Sequence, residues 1–209
     1  MRYELAIFDF DGTLADSFPW FLAALNDCAP RFGFRRIEPH EVEMLRGYDG
    51  RRIMRHMRVS MWKMPMIARS LRARMAADLH RIELFPGVEA MLRRLADAGV
   101  RIAVVTSNSA ENVRRVLGPE SAALVRHVEG GASIFGKQPK MRKVLRASGV
   151  PASRAISIGD EIRDLHASRA AGMAFGAVGW GFATPDALRA LKPEMFFEHV
   201  DEIADRVIG

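Results

Sequence analysis

Three times in this chain a short apolar run stops at a group of oxygen-bearing side chains, and that repetition constrains the fold more than any other feature. The first run, Leu5-Ala6-Ile7-Phe8, leads into Asp9 and then Asp11-Gly12-Thr13. The second, Arg101-Ile102-Ala103-Val104-Val105, ends at Thr106-Ser107-Asn108-Ser109, and the third, Ala155-Ile156-Ser157-Ile158, ends at Gly159-Asp160. The later two follow apolar residues at helical spacing. These are Val88, Met91, Leu92 and Leu95 before the stop at Gly99, and Val144 to Ala147 before Gly149 and Pro151. Unbroken apolar runs of this length fit strands buried on both faces. Alternation with helices then predicts an α/β fold, a Rossmann-like parallel sheet with helices on both faces. A further strand is expected over Ala174–Val178.

Between Asp16 and Phe85 the rhythm changes. No strand pattern stands out, and apolar residues recur at helical spacing, as in Met54, Met57, Met61 and Leu71, Met75, Leu79, punctuated by Pro19, Pro30, Pro39 and Pro65. The expected organisation is a core built from residues 1–15 and 86–209, interrupted by a helical subdomain over 16–85. With 49% apolar and 27% charged residues the 209-residue chain can bury a core, which excludes a disordered or collagen-like protein. No stretch approaches 18 apolar residues, and Met1-Arg2-Tyr3-Glu4 has no charged-then-apolar leader, so a soluble, cytoplasmic protein without a membrane partner is expected. A single cysteine, Cys28, rules out an internal disulfide and a thiolate zinc site; a small buried apolar role suits it.

A sequence pI near 10.1 invites nucleic acid, but the formal charge is only +6. Its source is local: residues 16–85 hold 13 Lys/Arg against 8 Asp/Glu, while the rest is almost balanced. The expectation is therefore a small anionic partner at that segment rather than nucleic acid.

In an open parallel sheet, ligands bind beyond the carboxyl ends of the strands. Those ends here carry Asp9 with Asp11, Thr106 with Ser107, and Asp160 followed by Glu161 and Asp164. Carboxylates about 4 Å apart repel by roughly 4 kcal/mol at an effective dielectric of 20, so such a cluster asks for a cation. Donors that are all oxygen suit Mg²⁺. The six histidines form no His-x-x-x-His pair. Gly131 to Lys137 has the spacing of a phosphate-cradling P-loop, but Gln138 stands where its metal-binding hydroxyl belongs, and no first strand precedes it.

Phe8-Asp9-Phe10-Asp11-Gly12-Thr13-Leu14-Ala15-Asp16-Ser17 resembles the first motif of the haloacid dehalogenase superfamily, in its phosphatase branch. Thr106 sits where that family places its second motif, and Gly159-Asp160-Glu161-Ile162-Arg163-Asp164 matches the fourth. The third motif is a lone lysine, for which Lys137 has the right place in the order and Lys140 is the runner-up. The helical segment after the first motif resembles the small cap of the phosphoglycolate phosphatase and β-phosphoglucomutase branch. The resemblance implies that Asp9 is the nucleophile, and that Asp11 protonates the leaving oxygen and then activates water. It further implies that Thr106, Ser107 and Asn108, with Gly12 and Thr13, hold the phosphoryl group while Lys137 offsets charge. Mg²⁺ is then held by Asp9, the Asp11 carbonyl, Asp160 and Asp164. Dehalogenases of the superfamily lack the second aspartate, so Asp11 points to phosphoryl transfer.

In relatives with this cap one loop chooses the leaving group, and Arg46-Gly47 resembles its basic-then-glycine step; Arg51 or Arg52 stands close by for an anionic substrate. The leading expectation is a Mg²⁺-dependent phosphatase on a small phosphate ester, acting as a monomer or homodimer. The alternatives are a phosphomutase, and a non-catalytic protein that uses the basic cap for binding.

Overall fold

A computed structural model of the chain describes residues 2–131 and 136–209. Its first strand, β1 (Leu5–Phe8), shows why the run is unbroken: all four side chains are fully buried. Ala6 and Phe8 pack on one face of the sheet with Met91, Leu95, Ile203 and Val207, whereas Leu5 and Ile7 pack on the other with Met141, Val144 and Met173. Strand β2 (Arg101–Val105) divides in the same way, with Ile102 and Val104 on the first face and Ala103 and Val105 on the second.

Between these strands lie α1 (Phe18–Phe32), α2 (Val42–Arg46), α3 (Gly50–His56), α4 (Met64–Ala77) and α5 (Val88–Asp97). After β2 come α6 (Ala110–Leu124), β3 (Val125–Glu129), α7 (Gln138–Ser148), β4 (Ala155–Gly159), α8 (Ile162–Ala170), β5 (Ala174–Val178), α9 (Pro185–Arg189), β6 (Met195–Phe197) and α10 (Asp201–Ile208). Among the described residues the six strands form one sheet in the order β3-β2-β1-β4-β5-β6, every pairing parallel. The order reverses between β1 and β4, and a crevice opens at such a switch point.

Local chemistry sets the helix ends. On α5, Val88, Met91, Leu92 and Leu95 are buried, each worth roughly 1.5–3 kcal/mol against exposure. Gly149 closes α7 in the left-handed region at φ 69°, where a side chain would be strained. The Ser109 side chain accepts the Asn112 N–H at 3.1 Å and starts α6 next to the β2 end.

Residues 18–81 hold no strand; their short helices surround a small apolar cluster of Ile37, Leu45 and Met57. The chains leaving and re-entering the sheet run side by side: Asp16 N–H donates to Glu83 O and Phe85 N–H to Leu14 O, both at 2.9 Å. Trp20 donates from α1 to Asp78 just beyond α4 at 2.9 Å. Cys28 is buried on α1, as expected.

Two expectations need correction. Among the insertion's large apolar residues Met57 and Met75 are buried, and Met44, Met61, Trp62 and Met66 are exposed. The helical period does not run through to Met61, because α3 ends at His56 and Arg58 turns the chain at positive φ. Strands β3 and β6 were also missing from the four expected. Both are edge strands, one carrying Arg126, His127 and Glu129 half in water, the other only three residues long. The interior of the Gly131–Lys137 stretch, residues 132–135, lies outside the described residues.

Candidate active site

The β1 and β4 ends stand beside each other, so residues distant in sequence meet. The Asp9 N–H donates to Ile158 O at 2.9 Å, which continues the ladder one step beyond β1 and directs its side chain over the sheet's end. Phe10 points into the core, leaving Asp9 and Asp11 as the polar residues to either side. Asp9, Asp160 and Asp164 each offer a carboxylate oxygen, all three within 4.8 Å of one another, and all are buried. At that spacing two carboxylates repel by roughly 3–4 kcal/mol at an effective dielectric of 20.

Two cations act on them: Lys137 at close range and Arg163, which pairs with Glu161. Lys137, at the start of α7, pairs with Asp9 and lies 2.6 Å from Asp164 Oδ1. Burial works against its charge, but Asp164 and Asp9 outweigh burial and its pKa is raised. Lys140 instead donates to the Thr106 carbonyl at 2.8 Å and to Gly131 O.

Each remaining expected residue has a definite place. Thr13 donates its hydroxyl to Asp160 Oδ1 at 2.7 Å, so it braces a carboxylate. Gly12, at φ 78°, leaves room for that carboxylate: a Cβ there would lie 2.3 Å from Asp160 Oδ2. Thr106 is buried, and its Oγ1 accepts the Asn108 N–H at 3.0 Å; Ser107 is exposed. The Asn108 amide donates to Asp11 Oδ2 at 3.3 Å and lies 2.9 Å from Met75 Sδ on α4. The Asp11 carboxylate is thereby turned toward Asn108 and stays outside the three-carboxylate group. Arg51 is exposed on α3, and Arg52 stacks on Tyr48 at 3.6 Å. Arg46 is committed to core carbonyls, at Phe182 O and Gly181 O, and to Glu43.

The electrostatics are those of a site short of positive charge. Burial first, then Asp9, pushes Asp11 up to about 6 from an ordinary 3.8. Burial likewise lifts Asp164 to about 7 and Asp160 well above the ordinary range. Asp164 Oδ2 is shielded from water and accepts no hydrogen bond among the described residues, while the Ser17 hydroxyl and the Asn108 amide lower the Asp11 carboxyl without offsetting its burial. An acceptor left bare, as Asp164 Oδ2 is, carries a desolvation cost that a hard cation would relieve. The donor set, three carboxylates, therefore fits a divalent ion such as Mg²⁺.

The loop after β5 was not anticipated. Phe182 N–H donates to Asp160 Oδ2 at 2.7 Å, and Trp180 Nε1 donates to Thr13 O at 3.2 Å. The carboxyl-end rule, applied to β5 as it was to the other strands, would have flagged Gly179-Trp180-Gly181-Phe182.

Comparison with known proteins gives the family and the fold. The chain matches the family described as haloacid dehalogenase-like hydrolase over residues 6–178. A phosphoglycolate phosphatase of Synechococcus elongatus is 31% identical over 205 residues, covering 98% of this chain and 97% of its own. A haloacid dehalogenase-like family hydrolase from Streptococcus pneumoniae has a similar structure, with a TM-score of 0.82 at 19% identity and 98% of both chains covered. CbbY from Rhodobacter sphaeroides, solved in complex with phosphate, gives 0.75 at 24% identity over 96% of both chains. At those identities the two structures speak for the fold alone.

Proposed function

From the premise that this chain belongs to the haloacid dehalogenase-like hydrolases, we propose that it is a Mg²⁺-dependent phosphatase acting on a small anionic phosphate ester of the phosphoglycolate type. The observation that carries the reading is the buried group of Asp9, Asp160 and Asp164 answered by Lys137 at the sheet's switch point. In this reading residues 16–85 form a cap over a core of 1–15 and 86–209, and the enzyme works in the cytoplasm.

Asp9 attacks phosphorus in line through a carboxylate oxygen, and the ester oxygen leaves; the aspartyl phosphate so formed is then hydrolysed by water. Asp11 supports both halves. A carboxyl near 6 is shared between its two forms close to neutrality, so it can protonate the leaving oxygen and then take a proton from the incoming water. Lys137 offsets the charge that builds on Asp9 and the phosphoryl oxygens. Thr106, Ser107 and Asn108 close the phosphate pocket from the β2 end. Asp9, Asp160, Asp164 and the Asp11 carbonyl would hold the ion, which when bound supplies Lewis-acid stabilisation of phosphoryl charge. Exposed basic residues of the cap, Arg51 among them, attract the substrate's second anionic group.

The test is p-nitrophenyl phosphate turnover with Mg²⁺ and with chelator, on this chain and on Asp9→Asn. Turnover by the native chain alone, and only with the ion, is the expected result; equal inertness of both proteins overturns the reading. A panel of phosphate esters at fixed Mg²⁺ then names the substrate. Oxygen-labelled water separates hydrolysis, which puts label in phosphate, from transfer to a sugar, which does not.

A further inference from the structure

Asp160 is held on both carboxylate oxygens. Thr13 donates to Oδ1 from the β1 loop and the Phe182 N–H donates to Oδ2 from the loop after β5, each at 2.7 Å. It is also walled in, since a Cβ on Gly181 would lie 2.1 Å from Asp160 Cβ. The second of these holders is itself gripped by the helical insertion. The Phe182 ring meets Phe18 of α1 edge-on at 5.0 Å and Phe21 at 5.4 Å. Arg46, the last residue of α2, donates from Nε to Phe182 O at 3.1 Å and from a terminal nitrogen to Gly181 O at 2.8 Å. Its guanidinium carbon lies 5.5 Å from the centre of the Phe18 ring, and its own carbonyl accepts the Thr184 N–H at 3.2 Å.

One planar unit joins these contacts. The Gly181 carbonyl and the Phe182 N–H belong to the same peptide, and in a trans peptide they point in opposite directions. An arginine holding the carbonyl on one side therefore fixes the N–H on the other, toward Asp160 Oδ2. Rotation of that peptide breaks both bonds together.

We propose that Arg46, with Phe18 and Phe21, positions the divalent-ion site: the insertion, seated on residues 181–184, fixes the peptide that orients Asp160, so ion affinity depends on that seating. The inference rests on reading Asp9, Asp160 and Asp164 as the ion site. It gives Arg46 a role through Asp160 in place of contact with substrate. Groups that orient a metal ligand commonly govern affinity by roughly 10–100-fold.

The experiment measures Mg²⁺ dissociation constants by calorimetry without substrate, on the full chain and on Arg46→Ala, Arg46→Lys, Phe18→Leu and Asp160→Asn. Arg46→Ala is expected to weaken binding about tenfold. Arg46→Lys should recover only part of that, because one ammonium lacks the planar fork that reaches two carbonyls. Phe18→Leu should weaken binding less, in the same direction, and it carries the test if Arg46→Ala does not fold. The KM for p-nitrophenyl phosphate at saturating Mg²⁺ should stay unchanged in Arg46→Ala. Ion affinity within twofold of native in Arg46→Ala and Phe18→Leu overturns the coupling, and a raised KM alongside makes Arg46 a substrate ligand. Unchanged affinity in Asp160→Asn overturns the ion site itself, and is thus distinguishable from failure of the coupling alone.

Discussion

Two settings of little-exposed carboxylates in this molecule move in opposite directions. In the insertion, Glu41 accepts the Glu38 N–H at 3.0 Å, pairs with Arg35 and lies 3.0 Å from His56; the Glu38 N–H first, then Arg35, hold its carboxyl down at about 2. At the strand ends, Asp11 and Asp164 are pushed up to about 6 and about 7 by burial that their partners do not offset. A carboxylate whose lone pairs are all answered is a structural tie. One left short of donors is a place where a cation or a proton belongs. The contrast separates a buried, charge-strained group at the strand ends from an insertion whose Arg51 is exposed and whose Arg52 stacks on Tyr48.

The largest effect that would sharpen this contrast is on turnover. Asp9→Asn should lower p-nitrophenyl phosphate hydrolysis by about a thousandfold or more with the fold intact by circular dichroism, whereas Glu41→Gln should leave kcat within about twofold. Comparable losses in the two variants would erase the distinction.

Next in size is Lys137→Met, which leaves buried Asp9 and Asp164 without their counter-charge. Urea unfolding in chelator should show a loss of about 3–5 kcal/mol, and added Mg²⁺ should restore more stability to this variant than to the native chain. A loss under about 1 kcal/mol would show that the carboxylates need no cation.

The pH dependence of stability should differ in sign between the settings. Asp11 has a raised folded pKa, so its folded form resists ionisation. In chelator its contribution is best below about 4 and is lost as pH rises from the ordinary 3.8 through about 6. Asp11→Asn should therefore gain on the native chain over that window by an amount on the order of 1–3 kcal/mol at neutral pH. Glu41 has a depressed folded pKa, so its contribution is present above the ordinary 4.5 and lost as pH falls through about 2. Parallel pH curves for the two variants would contradict the assignment. The smallest effect belongs to Arg51→Ala, with stability within about 0.5 kcal/mol of native. Its KM should rise for a doubly anionic ester, and less so at high salt, which a plot of KM against ionic strength would read.

The legible parts of the chain are those where one side chain's burial writes its own signal. Strands β1, β2, β4 and β5 were readable because both faces are covered, so nearly every residue is apolar; β3 and β6, at the edges, carry no such run. Asp9, Asp160 and Asp164 could be nominated because strand ends are where a parallel sheet gathers its ligands. The contact of Arg46 with Phe182 spans 136 positions and leaves no local pattern, so the sequence offered Arg46 as a substrate-loop arginine and not as a holder of that loop.

The sequence by itself determined the four inner strands, the oxygen-bearing turns and the family, since periodicity and a contiguous motif are properties of neighbouring residues. Only the tertiary structure decided that Asp11 turns to Asn108 while Asp9 meets Asp160 and Asp164, and that the insertion grips the loop behind Asp160. Those outcomes depend on placing β1 beside β4 and on the direction of a single peptide plane, which are set by packing between segments far apart in the chain.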